Sequence, residues 1–437
     1  MVDSRIKWDV NLASAGIFVD NSFFYIPGRQ LPPFGFKKIA DEINNRRVRS
    51  HFNPSRPNQL YHFVSSAETI GPSFFMPLNY NSQIGFTIAA RGYANLMQVP
   101  GHLAQNTYTN LKDPSLWNTE WQDTHSKVNS MAWLEYGLHY GRVLYRRNNK
   151  KLLMGVSLKY LQGIVAAYAK NTNLNYTIID SNEAMLSHSS VDYGGTREFS
   201  GKKYSDLIHG SGFAGGLGLT FVSGGPSACN ANPDAITENE SGNRYVYKIG
   251  ISLIDLGNIR FNRYSAAYYL RADSAVYTGN GQSNSGSSGP IAQFVYENDS
   301  AKHLTANHFN MVLPSAISVQ ADWNVFNDYY INATVIKGFG HGNHTGVVRP
   351  DLYSVTPRYE TSWFEVSAPF SLLYYQRWQP RIGIAFRIGY FFFGGDAPAS
   401  LAGIGNFERT DIYAGIHFFP LEWKHRPSGL LCPDVKN

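Results

Sequence analysis

Arg381-Ile-Gly-Ile-Ala-Phe-Arg-Ile-Gly-Tyr-Phe-Phe-Phe393 is the stretch that decides the fold. In an extended chain Ile382, Ile384, Phe386, Ile388, Tyr390 and Phe392 share one face. Gly383, Ala385, Arg387, Gly389 and Phe391 share the other. A strand in a soluble sandwich hides its apolar face and shows a polar one to water. Here one face is continuously large and apolar, and the other is small with a single charge. That is the design of a barrel wall with lipid outside and a narrow polar lumen inside. Read as a single strand, Ile382 to Phe392 spans roughly 36 Å at about 3.3 Å per residue. Tilted by about 40°, it would cross the apolar band, with Trp378 and Tyr374-Tyr375 at one aromatic girdle and Tyr390 at the other.

The same alternation recurs outward from this stretch. Leu134, Tyr136, Leu138 and Tyr140 oppose Glu135, Gly137, His139 and Gly141. Leu152, Met154, Val156, Leu158 and Tyr160 oppose Gly155, Ser157 and Lys159. Similar runs pass through Ile84, Phe213, Ile249, Ile317, Ile331 and Ile412. The set at Phe364, Val366 and Phe370 is out of phase with Tyr353, Val355 and Tyr359, which predicts a kink near Trp363. About twelve strands are counted, or fourteen when kinked ones are split. Turns are tight near 80, 148, 327 and 376 and long near 40, 110, 185, 290, 345 and 400. The expected fold is therefore all-β, a transmembrane antiparallel β-barrel of about 12–14 strands. Its long outer loops would carry short helices, at Phe36 to Ile43 and after the helix-starting Asp113-Pro114. Residues 170–207 read as a polar excursion with a hairpin around Tyr176 to Asp180.

Composition agrees. Of 437 residues, 43% are hydrophobic and 14% aromatic, but only 16% are charged, against a usual quarter or so. No apolar run of about 18 residues exists, which excludes a membrane-spanning helix but not a spanning strand. The net charge of +6 is scattered, so no nucleic acid partner is expected. Residues 1–7 lack a basic segment followed by an apolar one, and the chain reads as a mature domain or a truncated piece. Residues 1–423 are assigned to the barrel and 424–437 to a periplasmic tail.

No catalytic, cofactor-binding or metal-binding residue is assigned. Gly210-Ser-Gly-Phe-Ala-Gly215 has dinucleotide-loop spacing, but a period-2 strand follows it where a helix is needed. His303, His308, His341 and His344 read as solvated loop histidines. The informative residues are charges on the small face: Arg91, Glu135, Lys159, Lys248, Asp322, Glu365 and Arg387. Charges inside a barrel must be hydrated or paired. Mixed signs among many small residues suggest a narrow, cross-bridged lumen. Cys229 and Cys432 both fall on the periplasmic side of this topology and form a candidate disulfide.

Trp133-Leu-Glu-Tyr-Gly-Leu-His-Tyr-Gly-Arg-Val, Met154-Gly-Val-Ser-Leu-Lys-Tyr-Leu-Gln-Gly and Thr410-Asp-Ile-Tyr-Ala-Gly-Ile-His-Phe-Phe-Pro carry a resemblance. They resemble an uncharacterised family of outer-membrane barrels from gliding, type IX-secreting Gram-negative bacteria, distantly similar to FadL-like and PorV-like barrels. The resemblance covers residues 3–423 and rests on alternation, not on reactive residues. It implies the bacterial outer membrane, with lipid and lipopolysaccharide around the wall. The role favoured from the sequence is a non-enzymatic scaffold or accessory subunit of an envelope complex, with protein partners. The alternative is a FadL-like channel for small hydrophobic molecules, opened by wall kinks near Trp363 and after Asp255-Leu-Gly257.

Overall fold

In the computed structural model the described residues are 8–27, 51–53, 60–79, 81–147, 149–196, 204–224, 245–278, 302–339, 345–396 and 406–418. Cys229, Cys432, His341, His344, the segment Phe36 to Ile43 and the tail 424–437 lie outside them.

Alternating side chains leave each strand apolar on one face, and backbone groups in lipid must all be paired. A closed sheet satisfies both demands. The described residues form a closed antiparallel barrel of 14 strands. In chain order the wall strands are β1 Asp9–Asn21, β2 Leu60–Ile70 continuing as Ser73–Asn79, β3 Ser82–Pro100, β4 Lys127–Arg147 and β5 Lys150–Ile178. They continue as β6 Gly210–Gly224, β7 Tyr245–Phe261, β8 Phe309–Val312 with Ala316–Phe326, β9 Tyr329–Gly338 and β10 Asp351–Glu360. The last are β11 Phe364–Ser367 with Phe370–Tyr375, β12 Arg377–Ile382 with Ile384–Ile388, β13 Phe391–Gly395 and β14 Arg409–Phe418. Each pairs with its neighbour in sequence. β14 closes on β1 through Ile17↔Ile412 and Ala15↔Ala414, so the wall has no edge.

The exterior is the apolar face. Ile17, Leu138, Leu158, Phe213, Ile251, Val319, Phe370 and Ile388 are all exposed. Aromatic rings cluster at two heights. Tyr160 packs on Phe213 and Trp378 on Tyr374 toward the long-loop end. Tyr329 packs on Tyr359 and Tyr390 on Phe418 toward the other end. These are the girdles of a membrane-spanning barrel.

The structure corrects two sequence readings for one reason: a turn with an even number of linking residues, as at Thr361–Phe364 and Gly389–Tyr390, reverses the parity of the strand after it. The opening stretch is not one strand. Gly389 takes a left-handed φ of 58°, Gly389 and Tyr390 make a turn, and Ile388 pairs with Phe391. Phe391 and Phe393 therefore face outward, and Phe392 lies on the opposite face. Similarly, the phase slip near Trp363 is a hairpin. β10 and β11 join where the Thr361 N–H bonds the Phe364 carbonyl at 2.7 Å, and their register is one continuous ladder. No wall gap exists there. The tight turn at Gln376 also belongs to the long-loop end, because β11 rises toward it from Phe364.

The second predicted kink is present. Asp255 has φ 55°, and β8 breaks opposite it between Val312 and Ala316. Pro314 in that break has no N–H to give to a ladder.

β5 runs on past the barrel. Its far half pairs with Glu183–Thr196 and Glu120–Asp123, and Glu183–Thr196 pairs in turn with Ser265–Thr278. These strands, with a helix α1 at Gly101–Thr109, enclose Leu103, Leu111, Tyr176, Ile178, Leu186, Tyr193 and Leu270. The predicted polar excursion is thus a capping sheet with its own apolar core. Asp113 does start a turn, a single one of 3-10 type, by accepting a bond from Ser115 N. In α1, His102 stacks on Trp121 at 4.6 Å between centroids. Burial holds the His102 pKa below its ordinary 6.5, against the pull of Asp123. The folded cap therefore prefers neutral imidazole, and its stability is present above pH 6.5 and lost as pH falls below that value. Limited proteolysis within the 101–126 connection is expected to accelerate between about pH 7 and about pH 5, and the His102→Phe variant to lose that dependence.

Candidate functional site

The interior has three levels. At the long-loop end it is packed with apolar side chains. Trp133 from β4, Leu161 from β5, Ile259 from β7 and Met311 from β8 meet on one side. Val64, Met97 and Tyr375 meet on the other. Between the two groups lies an infolded loop, residues 345–350. Val347 belongs to the first group and Val348 to the second. The loop is held at both sides of the barrel. Val312 N–H donates to Thr345 O at 3.1 Å, and Val347 N–H to Val312 O at 3.2 Å. Across the lumen the Asn95 amide clasps Val348, accepting from its N–H at 2.9 Å and donating to its carbonyl at 3.1 Å. Gly346 allows the close approach to β8: a Cβ there would sit 2.5 Å from Val312 O.

Below this plug lies a charge cluster. The structure brings Arg91, Glu135 and Lys159 together. Lys159 Nζ lies 2.7 Å from Glu135 and 2.8 Å from Asp255. Arg91 reaches Glu68 at 2.9 Å, Asp255 at 3.2 Å and Glu135 at 3.4 Å. Arg349, from the infolded loop, donates to Asp255 Oδ2 at 3.0 Å. Three carboxylates thus face three cations. Asp255 is central because its left-handed backbone turns its side chain into the lumen, and Ser315 Oγ fixes its carbonyl at 2.6 Å. Glu68, Asp255 and Arg349 do not emerge from strand alternation alone. Asp255 sits at the kink that breaks the period, and Arg349 sits on a loop.

The other four charges lie elsewhere. Asp322, Glu365 and Arg387 join Arg358 and Glu360 near the short-turn end. Arg358 pairs with Asp322 and Glu360 at 3.1 Å each, and Arg387 with Glu365 at 3.2 Å. Tyr245 donates to Asp322 at 2.5 Å, and Lys248 Nζ lies 3.7 Å over the Tyr245 ring. A further buried cluster outside the sequence-derived set joins Asp20 to His62, Gln379, Arg381 and Arg409.

Two cavities flank the central cluster. A vestibule of about 630 Å³ opens toward the short-turn end and is lined by Gln83, Arg91, His139, Lys159, Asp255 and Arg349 among others. A smaller cavity of about 310 Å³ occupies the break in the wall. Leu256, Gly257, Leu313, Phe339, Val347 and Val348 line it. Leu256 and Phe339 are on the exposed wall, whereas Val347 and Val348 are buried in the plug. Its one polar side chain is Ser315, already bonded to Asp255. The cavity therefore offers an apolar surface from the lipid face to the plug. No group of three or more metal-ligating side chains occurs among the described residues.

A closed strand cylinder with an apolar exterior, aromatic girdles and a polar lumen defines a bacterial outer-membrane β-barrel. The chain belongs to a family of unknown function, DUF5723, whose model matches residues 1–396. No curated protein matches it in sequence. Among solved structures it is similar to a deltaS2S3 mutant of the monoaromatic hydrocarbon channel TodX, at 7% identity, 96% and 92% coverage of the two chains and a TM-score of 0.46. The toluene transporter TbuX of Ralstonia pickettii matches at 10% identity, 95% and 89% coverage and a TM-score of 0.38. The translocator domain of the autotransporter NalP from Neisseria meningitidis matches at 7% identity, 95% and 89% coverage and a TM-score of 0.34. At these scores the likenesses add no weight to the barrel assignment, which rests on strand pairing and exposed faces.

Proposed function

We propose that this barrel is a gated conduit for small apolar molecules, which leave or join the membrane sideways through the wall at the β7–β8 break. The supporting observation is the apolar cavity there, continuous from Leu256 and Phe339 on the wall to Val347 and Val348 in the lumen. Its volume of about 310 Å³ is at the small end of the range of ligand pockets, about 300–1,000 Å³. It suits one compact hydrocarbon, such as a substituted ring, and offers nothing to a charged solute. A scaffold or accessory subunit of an envelope complex, the role favoured from the sequence, would leave this cavity without use. The axial path is closed at the plug and charge cluster, so passage beyond the cavity requires residues 345–350 to move.

The test is outer-membrane permeability to N-phenyl-1-naphthylamine, an uncharged dye that fluoresces on reaching phospholipid. Cells producing the protein are expected to show a faster fluorescence rise than cells without it. Leu256→Trp, which covers the mouth from the exposed wall, should return the rate to background. Equal rates in all three strains would end this reading.

A further inference from the structure

The two cavities approach each other at the central charge cluster, beside Asp255 and Arg349. Leu256 and Val348 line the apolar one, while their chain neighbours Asp255 and Arg349 line the vestibule. Asp255 is the fixed half. It is held by Ser315 through its carbonyl and by Lys159 and Arg91 through its carboxylate. Arg349 is carried on the infolded loop, which is also tied by the backbone bonds to Val312, the Asn95 clasp and the burial of Val347 and Val348. The loop is thus a bolt thrown from β8 across the lumen to β3, and Arg349 pins its lumen-side end.

We propose that the Asp255–Arg349 pair is the latch of an axial gate. Breaking it lets residues 345–350 withdraw and joins the wall cavity to the vestibule below. The role assigned to the latch rests on the conduit reading for what passes, but the gate itself does not depend on the nature of the cargo. A salt bridge beside a large open vestibule suits such a role: it has defined geometry, yet water can reach its partners on opening.

Ion conductance in planar bilayers reads the gate independently of apolar transport. Wild-type protein is expected to be closed for most of the record. Arg349→Gln, which leaves a shorter polar side chain without the charge, should raise open probability about tenfold or more, the shift expected from losing one hydrogen bond to a charged group. Arg349→Lys, retaining the charge, should stay near wild type. Asn95→Ala, which removes the clasp on Val348, should also increase opening and serves if Arg349→Gln does not assemble. Heat-modifiable gel mobility reports assembly of each variant. Assembled Arg349→Gln and Asn95→Ala barrels as closed as wild type would overturn the latch, as would Arg349→Lys opening as readily as Arg349→Gln. Increased conductance with no effect of Leu256→Trp on dye permeability would keep the latch and discard the conduit. The converse pattern would keep the conduit and discard the latch.

Discussion

Ile251→Arg is expected to destabilise the barrel by about 2–4 kcal/mol, the cost of a cationic side chain on a lipid-facing position near mid-bilayer. Ile251 lies mid-strand on β7, pairs with Leu219 and Val319, and is 48% exposed. In a soluble protein an exposed position of this kind would accept arginine at little cost, and solvation would even improve. The sign of the effect therefore tests what the exterior faces. Ile251→Leu, which keeps the apolar area, should lie within about 0.5 kcal/mol of wild type. Urea unfolding in lipid vesicles, followed by tryptophan fluorescence, measures both. A neutral Ile251→Arg substitution, or a chain that stays monodisperse in buffer without detergent, would remove the membrane from the argument.

Strand alternation made the wall legible because lipid and lumen impose opposite demands on adjacent residues. Leu134 to Gly141 and Leu152 to Tyr160 could be sorted inside from outside with no knowledge of partners, and the exposed set includes Leu138, Tyr140, Val156 and Leu158. Parity carries no marker for a turn made of ordinary residues. Ile388-Gly-Tyr-Phe391 continues an apolar run without a polar break, so alternation leaves the hairpin at Gly389 unmarked and puts Phe391 on the wrong face. Apart from its hairpin around Tyr176 to Asp180, the capping sheet is hidden for a related reason. Its core residues, such as Leu174, Tyr176 and Ile178, alternate with asparagine and threonine, a composition shared with solvated loops.

The charge cluster shows a different limit. Arg91, Glu135 and Lys159 stand on regular strands, and their side of the sheet follows from their neighbours. Which carboxylate each cation meets depends on the curvature of the cylinder and on sequence-distant segments. Asp255 is 164 residues from Arg91 and 94 from Arg349. The infolding of residues 345–350 leaves one faint trace, the small Gly346 before the paired valines and the charge of Arg349. That pattern is common in exposed loops too, and only the docking against β8 and Asn95 distinguishes it.

The central cluster also yields the largest expected loss inside the lumen. Asp255→Ala should cost about 3–5 kcal/mol, the range for deleting one partner of a buried ion pair. The Asp255 side chain is only 5% exposed, and the cations it meets are 14%, 11% and 23% exposed. Its removal turns three carboxylates against three cations into two against three. Arg91 and Lys159 keep Glu135, but Arg349 is left without its carboxylate at the edge of the vestibule. Glu365→Ala provides the contrast. Glu365 pairs with Arg387 near the short-turn end and is 26% exposed. Water there can replace it, and Arg387 still bonds the Ser362 and Thr361 carbonyls. Its loss should cost no more than about 1 kcal/mol. The comparison separates two meanings of a charged lumen. If both substitutions are mild, the interior is hydrated throughout and the central cluster does not close the axis. If only Asp255→Ala is severe, the barrel is dry at mid-height and wet below. The Asp255–Arg349 pair then stands at the boundary between the two.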